Sequence, residues 1–280
     1  MIHRHFASVA RKKASSSSGW NIAGASYDSK SFSVATQAGN PEGLSFSSDG
    51  TKMYIGDHTD DAIYQYALSS AWDVSTASYS SVSLDISSEG ADLNGVAFKA
   101  DGTKVYWIGD LSDTVYQYTL SSAWDLSSAS YDLNSYSVNT QDGSPQDLFF
   151  KDDGTKMYVI GGGVIGDTDK ISQYTLSTPW SVSSASYDSK KLSVGSQEIW
   201  PMGLSLKDDG TKAYALGTNV DTVFQYGLSS AFDVSTGSYD SVSFSVNSQE
   251  SVPKSLFIKP DGTKMYVVGT ITDTVYQYSI

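Results

Sequence analysis

Asp49-Gly50-Thr51-Lys52 is the first of five copies of one tetrapeptide in this chain. The other copies begin at Asp101, Asp153, Asp209 and Asp261, so that the spacings are 52, 52, 56 and 52 residues. A period of about 50 residues that fills a chain is the signature of a repeat architecture. The fold therefore follows from the structure of one unit and from the way in which five units join.

One unit contains four short segments with strand character. In the second repeat these segments are residues 95–99, 103–108, 114–120 and 131–138, and Asp101-Gly102 lies between the first two. Asp-Gly favours a two-residue hairpin turn, because such turns need positive φ angles that Gly adopts freely and Asp tolerates. Four strands per unit of about 50 residues predict a blade of a β-propeller.

The two ends of the chain complement each other. The last repeat stops at Ile280, and the segment that would follow it, Ser17-Ser18-Gly19-Trp20 with Tyr27, stands at the beginning. Residues 17–280 number 264, which equals the sum of the five repeat lengths. We therefore predict an all-β, closed five-bladed propeller over residues 17–280. A strand near residues 27–34 would complete the last blade and remove two exposed sheet edges.

The composition excludes several classes of protein. The chain has 280 residues, 51 of them serine, no cysteine and a formal net charge of −13. The missing cysteines exclude disulfide scaffolds and thiol catalysis, and no apolar run approaches the ~18 residues of a membrane-spanning helix. The negative charge argues against nucleic acid as a partner. No cofactor is expected.

The charge is divided between a basic arm, residues 1–16, and an acidic body. The arm carries four basic residues and no acidic residue, which leaves 14 basic against 31 acidic residues in the body, a balance of −17. The four are Arg4, Arg11, Lys12 and Lys13. Its apolar stretch, residues 6–10, is shorter than the h-region of a secretory signal. Three interpretations stay open: a disordered tail, a mitochondrial presequence, and a segment that docks to a larger assembly.

The units resemble β-propeller repeats of the YVTN/lactonase-like group, as in residues 253–268, Pro-Lys-Ser-Leu-Phe-Ile-Lys-Pro-Asp-Gly-Thr-Lys-Met-Tyr-Val-Val. With Leu-Ser-Ser-Ala-Trp-Asp-Val-Ser and Ala-Ser-Tyr-Asp-Ser, the longer unit is similar to propeller repeats in proteins of marine bacteria and their tailed phages. The resemblance covers residues 17–280 and implies the fold. Five blades differ from the seven of the lactonases, and five-bladed propellers also occur among invertebrate lectins and glycosidases. No catalytic motif of those families is matched here.

The two faces of the predicted propeller differ in how much they vary. The Asp-Gly face is nearly identical in all blades, which indicates a structural role. On the opposite face, here called the variable face, the connections between blades diverge, as exposed binding loops do. The residues just before each inner strand are Glu42, Asn94, Gln146, Met202 and Lys254. Trp200 and the four-residue insertion within residues 161–166 belong to this face, which is therefore the predicted binding face. Neutral drift is the alternative.

Aromatic residues recur seven positions before a tyrosine in every unit, at Trp20, Trp72, Trp124, Trp180 and Phe232. Their recurrence predicts packing between blades, and sugar platforms are the alternative. The glutamine of each Tyr-Gln-Tyr-like strand, as at Gln65, is expected to bond locally.

Acidic residues form a second series, Asp61, Asp113, Asp169, Asp221 and Asp273, which is expected to cap turns through its carboxylates. Calcium binding by Asp57, Asp60 and Asp61 is an alternative, but no calcium loop is recognisable, and no metal site is predicted.

Enzymatic activity is not expected. His58 is the sole histidine of the body, and no Gly-x-Ser-x-Gly elbow is present. A glycosidase would need two carboxylates flanking the bond to be cleaved. The inner mouth offers Glu42 and Asp147, with Glu89 and Glu198 in connecting loops. Near-equal blades argue against such a site, since catalysis breaks the symmetry of a scaffold.

The preferred function is therefore that of a non-enzymatic binding or structural protein. By analogy with phage propellers, it would be a head, tail-fibre, adaptor or decoration component, or part of another surface assembly involved in host attachment. The arm would bind other assembly proteins, and the variable face would meet a partner. A glycan-binding lectin or adhesin is the second interpretation and a glycosidase the third. Localisation to a virion or extracellular assembly follows from the first, and to mitochondria if the arm is a presequence.

Overall fold

The structure is a computed structural model that describes residues 19–162 and 169–280. Its twenty strands form five antiparallel four-stranded sheets, the blades. Strand β1 (Ser26–Ser33) precedes the first blade, which holds β2 (Pro41–Phe46), β3 (Lys52–Asp57), β4 (Ala62–Leu68) and β5 (Ala77–Asp85). The second blade holds β6 (Leu93–Phe98), β7 (Lys104–Gly109), β8 (Thr114–Leu120) and β9 (Ala129–Ser137).

The other three blades repeat this arrangement. The third holds β10 (Pro145–Phe150), β11 (Lys156–Gly161), β12 (Lys170–Leu176) and β13 (Ala185–Ser193). The fourth holds β14 (Pro201–Leu206), β15 (Lys212–Gly217), β16 (Thr222–Leu228) and β17 (Gly237–Ser245). The fifth holds β18 (Pro253–Ile258), β19 (Lys264–Gly269) and β20 (Thr274–Ser279). A 3-10 helix precedes each outer strand, at Ile22–Gly24, Val74–Thr76, Leu126–Ser128, Val182–Ser184 and Val234–Thr236.

The first strand of the chain closes the ring, as the sequence predicts. The strand order of the last blade is β1-β20-β19-β18, and β1 pairs antiparallel with β20 from Ser26 opposite Ser279 to Ser33 opposite Thr274. This pairing gives the last blade the same four strands as the others. The prediction of an all-β, five-bladed propeller with a closing N-terminal strand is confirmed. The basic arm, residues 1–16, lies outside the described residues.

The hydrophobic core lies between the blades. Side chains of facing sheets form five apolar clusters, one for each pair of neighbours. Strands in the middle of a blade, such as β7, are buried on both faces, whereas the outer strands alternate between exposed and half-buried residues. Many of the chain's serines lie in these outer strands, because only one side of an edge strand faces the core.

The Asp-Gly turns are longer than the two-residue hairpin that the sequence suggested. In the second blade the strands end at Phe98 and resume at Lys104, and of the turn residues only Gly102 has a positive φ, at 72°. The Asp101 carboxylate instead accepts hydrogen bonds from the backbone N–H and the hydroxyl of Thr103. A Cβ at Gly102 would lie 2.4 Å from ring atoms of Trp124. Each turn glycine is thus required by its φ and by the aromatic ring that covers it.

The repeated aromatic and glutamine residues join neighbouring blades. The hydroxyl of Tyr54 donates to the carbonyl of Trp124 in the next blade at 2.7 Å, and the equivalent bond occurs in all five interfaces. The Gln65 side-chain oxygen accepts from the N–H of Leu126, again in all five interfaces. The expected local bond is made by the amide nitrogen, as where Gln117 donates to Asp132 in its own blade. The expectation missed the amide oxygen, which reaches across to the next blade. The aromatic rings act in packing, as expected.

Candidate functional site: the variable face and the central channel

Each inner strand carries a β-bulge near its first residue, at the end of the strand that lies on the variable face. Pro41 pairs with Asp57 and Gly43 with Gly56, so that Glu42 is the extra residue, and the same shift recurs in the other four blades. A bulge re-aims the side chain of the extra residue. The five bulge residues are different in every repeat: Glu42, Asn94, Gln146, Met202 and Lys254.

These bulge residues come together at the mouth of the central channel. They line one cavity of about 300 Å³, here called the variable-face cavity, whose wall also includes His58, Asp110 and Trp200. All six candidate binding residues from the sequence thus surround the same space. The insertion reaches this rim through Gly162, while residues 163–168 lie outside the described residues.

An ion pair crosses one side of the mouth. The Lys254 Nζ lies 2.8 Å from a carboxylate oxygen of Glu42 on the neighbouring blade, and both side chains are largely buried. A buried charge is costly unless it is paired, so each of these two residues requires the other. The pair leaves one edge of the cavity polar and ordered.

Hydrogen bonds order the opposite side of the mouth. Asn94 donates to the carbonyl of Pro145 at 2.9 Å, and its amide oxygen lies 3.1 Å from Nδ1 of His58. Burial raises the pKa of the neighbouring Asp110 carboxyl. Gln146 bonds to Ser144 within its own loop. The wall therefore offers amide, imidazole and carboxyl groups in fixed positions.

Trp200 is the most prominent side chain of the rim, with 59 % of its surface exposed. Its loop is held by Glu198, a fully buried carboxylate that accepts from the backbone N–H groups of Trp200 at 2.8 Å and Asn219 at 3.1 Å. The indole is exposed rather than packed against the next blade. A large side chain on an ordered loop loses little entropy on binding, as interface anchors require.

Other exposed apolar side chains lie on the same face as this tryptophan. Leu111, Ile199, Val220 and Ile271 lie in the loops of the variable face and are all exposed. The remaining exposed large apolar residue among those described, Leu133, lies in the outer strand of the second blade. Of the six exposed large apolar side chains that the structure describes, five thus lie on the variable face.

The carboxylates considered for glycoside hydrolysis serve other purposes or lie elsewhere. Glu42 is ion-paired, Glu198 holds the Trp200 loop, and Glu89 accepts from the hydroxyl of Tyr118. Asp147 does not share the mouth with Glu42, and that expectation is wrong. It lies deeper in the channel because it follows the bulge residue, and its carboxylate accepts from the backbone N–H groups of Leu148 and Leu204.

The aspartates of the second series bond through their backbone in every blade. Asp113 adopts a left-handed φ of 47°, and its carbonyl accepts from the N–H of Val138 in the connection to the next blade. The other four aspartates of the series have the same conformation and the same backbone bond. The carboxylates of Asp61, Asp113 and Asp221 bond as well, to the N–H of Asp92 and the side-chain amides of Asn139 and Asn247. The expectation of carboxylate bonds thus holds in these three blades, but it overlooked the left-handed conformation, which Asp tolerates better than most residues.

The suggested calcium ligands are engaged with the protein itself. Asp57 accepts from the backbone N–H groups of Asn40, Thr59 and Asp60, and Asp61 accepts from that of Asp92. Within residues 19–162 and 169–280 no group of three acidic or histidine side chains is arranged to hold a metal ion. In the same ranges no helix has the length and apolarity needed to cross a membrane.

A second cavity, which the sequence reasoning missed, opens on the Asp-Gly face. It measures about 320 Å³ and extends from the middle of the inner strands to the residues that precede the turns. Those residues are not constant: they are Ser48, Ala100, Asp152, Asp208 and Pro260. The variation of these residues beside an invariant tetrapeptide is the sequence signal that could have revealed this cavity.

The comparisons with known proteins identify the fold. No protein-family model matches the chain, and no curated protein is significantly similar to it. Among solved structures, the β-propeller domain of Cps50 (Swd1) from Myceliophteria thermophila has a TM-score of 0.52 and 9 % identity, over 91 % of this chain and 99 % of that one. A candidate 6-phosphogluconolactonase from Bacteroides uniformis has a TM-score of 0.50 and 14 % identity, over 86 % of this chain and 67 % of that one. At these identities the likeness concerns the propeller fold alone.

Proposed function

We propose that this protein is a non-enzymatic binding protein that recognises a partner protein with its variable face. The observation that carries this proposal is the geometry of the five bulges. They aim five different side chains into one cavity beside the exposed Trp200, from strands whose order and pairing recur in every blade. A site that is built from variable residues on an ordered rim suits recognition.

We further propose that the protein belongs to a phage virion or another surface assembly and docks there through its basic arm. Two observations from the sequence support this part: the similarity of the repeats to propellers of marine bacteria and tailed phages, and the opposite charges of arm and body. The non-enzymatic nature is supported by Glu42, Glu89 and Glu198, whose carboxylates are all engaged in bonds within the protein.

Glycan binding is the second candidate, and the exposed indole of Trp200 favours it. A flat aromatic face can stack on a sugar ring, and the amides of Asn94 and Gln146 could bond to hydroxyl groups. The two candidates differ in what the isolated protein does. A lectin binds glycans without other proteins, whereas an assembly component is retained only in the assembled particle.

The test compares Trp200→Ala with Leu133→Ala, which removes an even more exposed apolar side chain from the outer strand of the second blade instead. Both variants and the unchanged chain are purified, and their affinities for the partner protein that the unchanged chain captures are measured. We expect Trp200→Ala to weaken this binding by ~2 kcal/mol, about 30-fold in affinity, and Leu133→Ala to have no effect. Equal effects of the two changes would refute the assignment of the face. Glycan-array binding by the purified protein would favour the lectin, and hydrolysis of a bound glycan would exclude the non-enzymatic interpretation.

A further inference from the structure

The cavity on the Asp-Gly face has an apolar interior. Its walls include the rings of Phe98, Phe149 and Phe257, each of which is only partly buried and so has surface free in the channel. Positions equivalent to Phe149 hold Ser45 and Ser205 in other blades. The aromatic wall is therefore a property of particular blades and not a requirement of the repeat.

The inner end of this cavity carries little negative charge at neutral pH. Asp147 is the acidic residue there, and it is completely buried between two inner strands. Burial raises the pKa of its carboxyl to about 8, which favours the neutral form in the depth of the cavity. The depth of the cavity thus favours an uncharged, apolar group.

The mouth of the same cavity is acidic. Asp152 and Asp208 come from neighbouring blades and line the opening. Removal from water raises the pKa of Asp208 to about 6, and repulsion from Asp152 adds to this effect. Neither carboxylate has a hydrogen bond or an ion pair with a described residue. Two negative charges therefore face one opening, and no basic residue within 19–162 or 169–280 forms an ion pair with either of them.

The lysines near this mouth act on its carboxylates only at a distance: the charges of Lys151 and Lys207 lower the pKa values of Asp152 and Asp208, but neither lysine forms an ion pair with them. Lys99, Lys151, Lys207 and Lys259 follow the inner strands, and each pairs with the aspartate of its own turn at 2.6 to 2.8 Å. Lys151 and Lys259 also lie over the rings of Phe232 and Trp72. All four ammonium groups are thereby held at the turns, which leaves Asp152 and Asp208 available to an external cation.

We propose that the Asp-Gly-face cavity binds an amphiphilic organic amine, whose apolar body inserts between the phenylalanine rings while its ammonium group meets Asp152 and Asp208 at the mouth. The apolar depth and the acidic opening define this orientation. Aromatic walls also attract the cation through their negative faces. This site is separate from the variable face and would work whether or not that face binds a partner.

The test uses 2-phenylethylamine as the probe and 3-phenylpropionate as its counterpart of similar size and opposite charge. Binding to the full chain is measured by calorimetry and by ligand-observed NMR at pH 7.5. We expect the amine to bind and the acid to bind at least tenfold more weakly. Equal binding of both probes, or of neither, would overturn the proposal.

Three variants locate the site. Asp152→Asn with Asp208→Asn should weaken amine binding at least tenfold, because both charges at the mouth are lost. Phe149→Ser should weaken it severalfold, and it introduces the residue that two other blades already carry, so the fold should be retained. Trp200→Ala, on the opposite face, is the control and should leave the affinity unchanged. If Trp200→Ala abolishes binding while the other variants retain it, the amine binds elsewhere and the inference is wrong.

A truncation tests whether the basic arm of the chain itself occupies the cavity on the Asp-Gly face. Removal of residues 1–16 should leave the affinity for 2-phenylethylamine unchanged. A clear gain in affinity would show that the arm competes for the cavity, and it would overturn the assignment to a free amine.

Discussion

Removal of the closing strand should unfold the last blade, although the strand adjoins an arm that the blade does not need. Two truncations separate these roles: one lacks residues 1–16, and the other lacks residues 1–35. The shorter truncation keeps every contact described for the last blade, because these contacts begin at Gly19. The longer one removes β1 and exposes the edge of β20.

The expected loss can be worked out from the structure. The longer truncation removes Trp20, Ile22 and Val34, which are 6 %, 0 % and 0 % exposed. At about 1.5 to 3 kcal/mol per buried side chain, they contribute roughly 5 to 9 kcal/mol. Asp28 is also lost, whose carboxylate accepts from Lys264, Gln277 and Ser279. Since the total stability of a domain is about 5 to 15 kcal/mol, this truncation should leave little of it.

Thermal unfolding followed by circular dichroism, at equal protein concentration, measures the effect. The 1–16 truncation should melt like the full chain, and the 1–35 truncation should aggregate or melt far lower. Ile22→Ala provides a graded version: a loss of about 3 kcal/mol should lower Tm by roughly 6 °C or more. Equal melting temperatures for the two truncations would refute the reasoning about closure.

Three further predictions concern other parts of the chain. Changing the four basic residues of the arm to serine should leave Tm unchanged but prevent incorporation into the parent assembly; a mature protein that begins near residue 15 to 20 would instead identify the arm as a removed targeting segment. Gly50→Ala should lower the free energy of unfolding, measured in urea, by ~2 kcal/mol, because φ at Gly50 is +70° and the new Cβ would lie 2.3 Å from a ring atom of Trp72. Gly39→Ala should be nearly neutral, because a Cβ at Gly39 meets open space. Burial raises the pKa of Asp147 to about 8, so its contribution to stability is present below pH 4 and is lost as the pH rises through 8. Asp147→Gly, which introduces the residue of three other blades, should therefore bring the free energies of unfolding at pH 5 and pH 8.5 closer together. An unchanged pH dependence would contradict this assignment.

Much of the fold could be predicted because it depends on local, repeated signals. The turn glycines, the strand pattern of each unit and the complementary chain ends are all visible as residues at fixed spacing. The roles of Gln65 and Asp113 could not be predicted in the same way. The Gln65 amide oxygen bonds to Leu126 in the next blade, and Asp113 works through its left-handed backbone, which the side-chain chemistry does not reveal.

The sequence by itself determined which positions of the candidate site vary, since divergence against a constant repeat is visible by alignment of the five units. It also determined that the variable positions share one face, because every unit crosses the ring in the same direction. Only the tertiary structure decided what those positions do. The bulge turns Glu42 and its equivalents into the mouth of the channel. Asp147, which follows the bulge residue Gln146, is instead buried deeper in the channel. Asp152 and Asp208 face one opening because the ring brings residues 56 positions apart to neighbouring blades. Spacing along the chain fixes register within a repeat, whereas the distance between side chains of different repeats depends on how the blades pack around the axis.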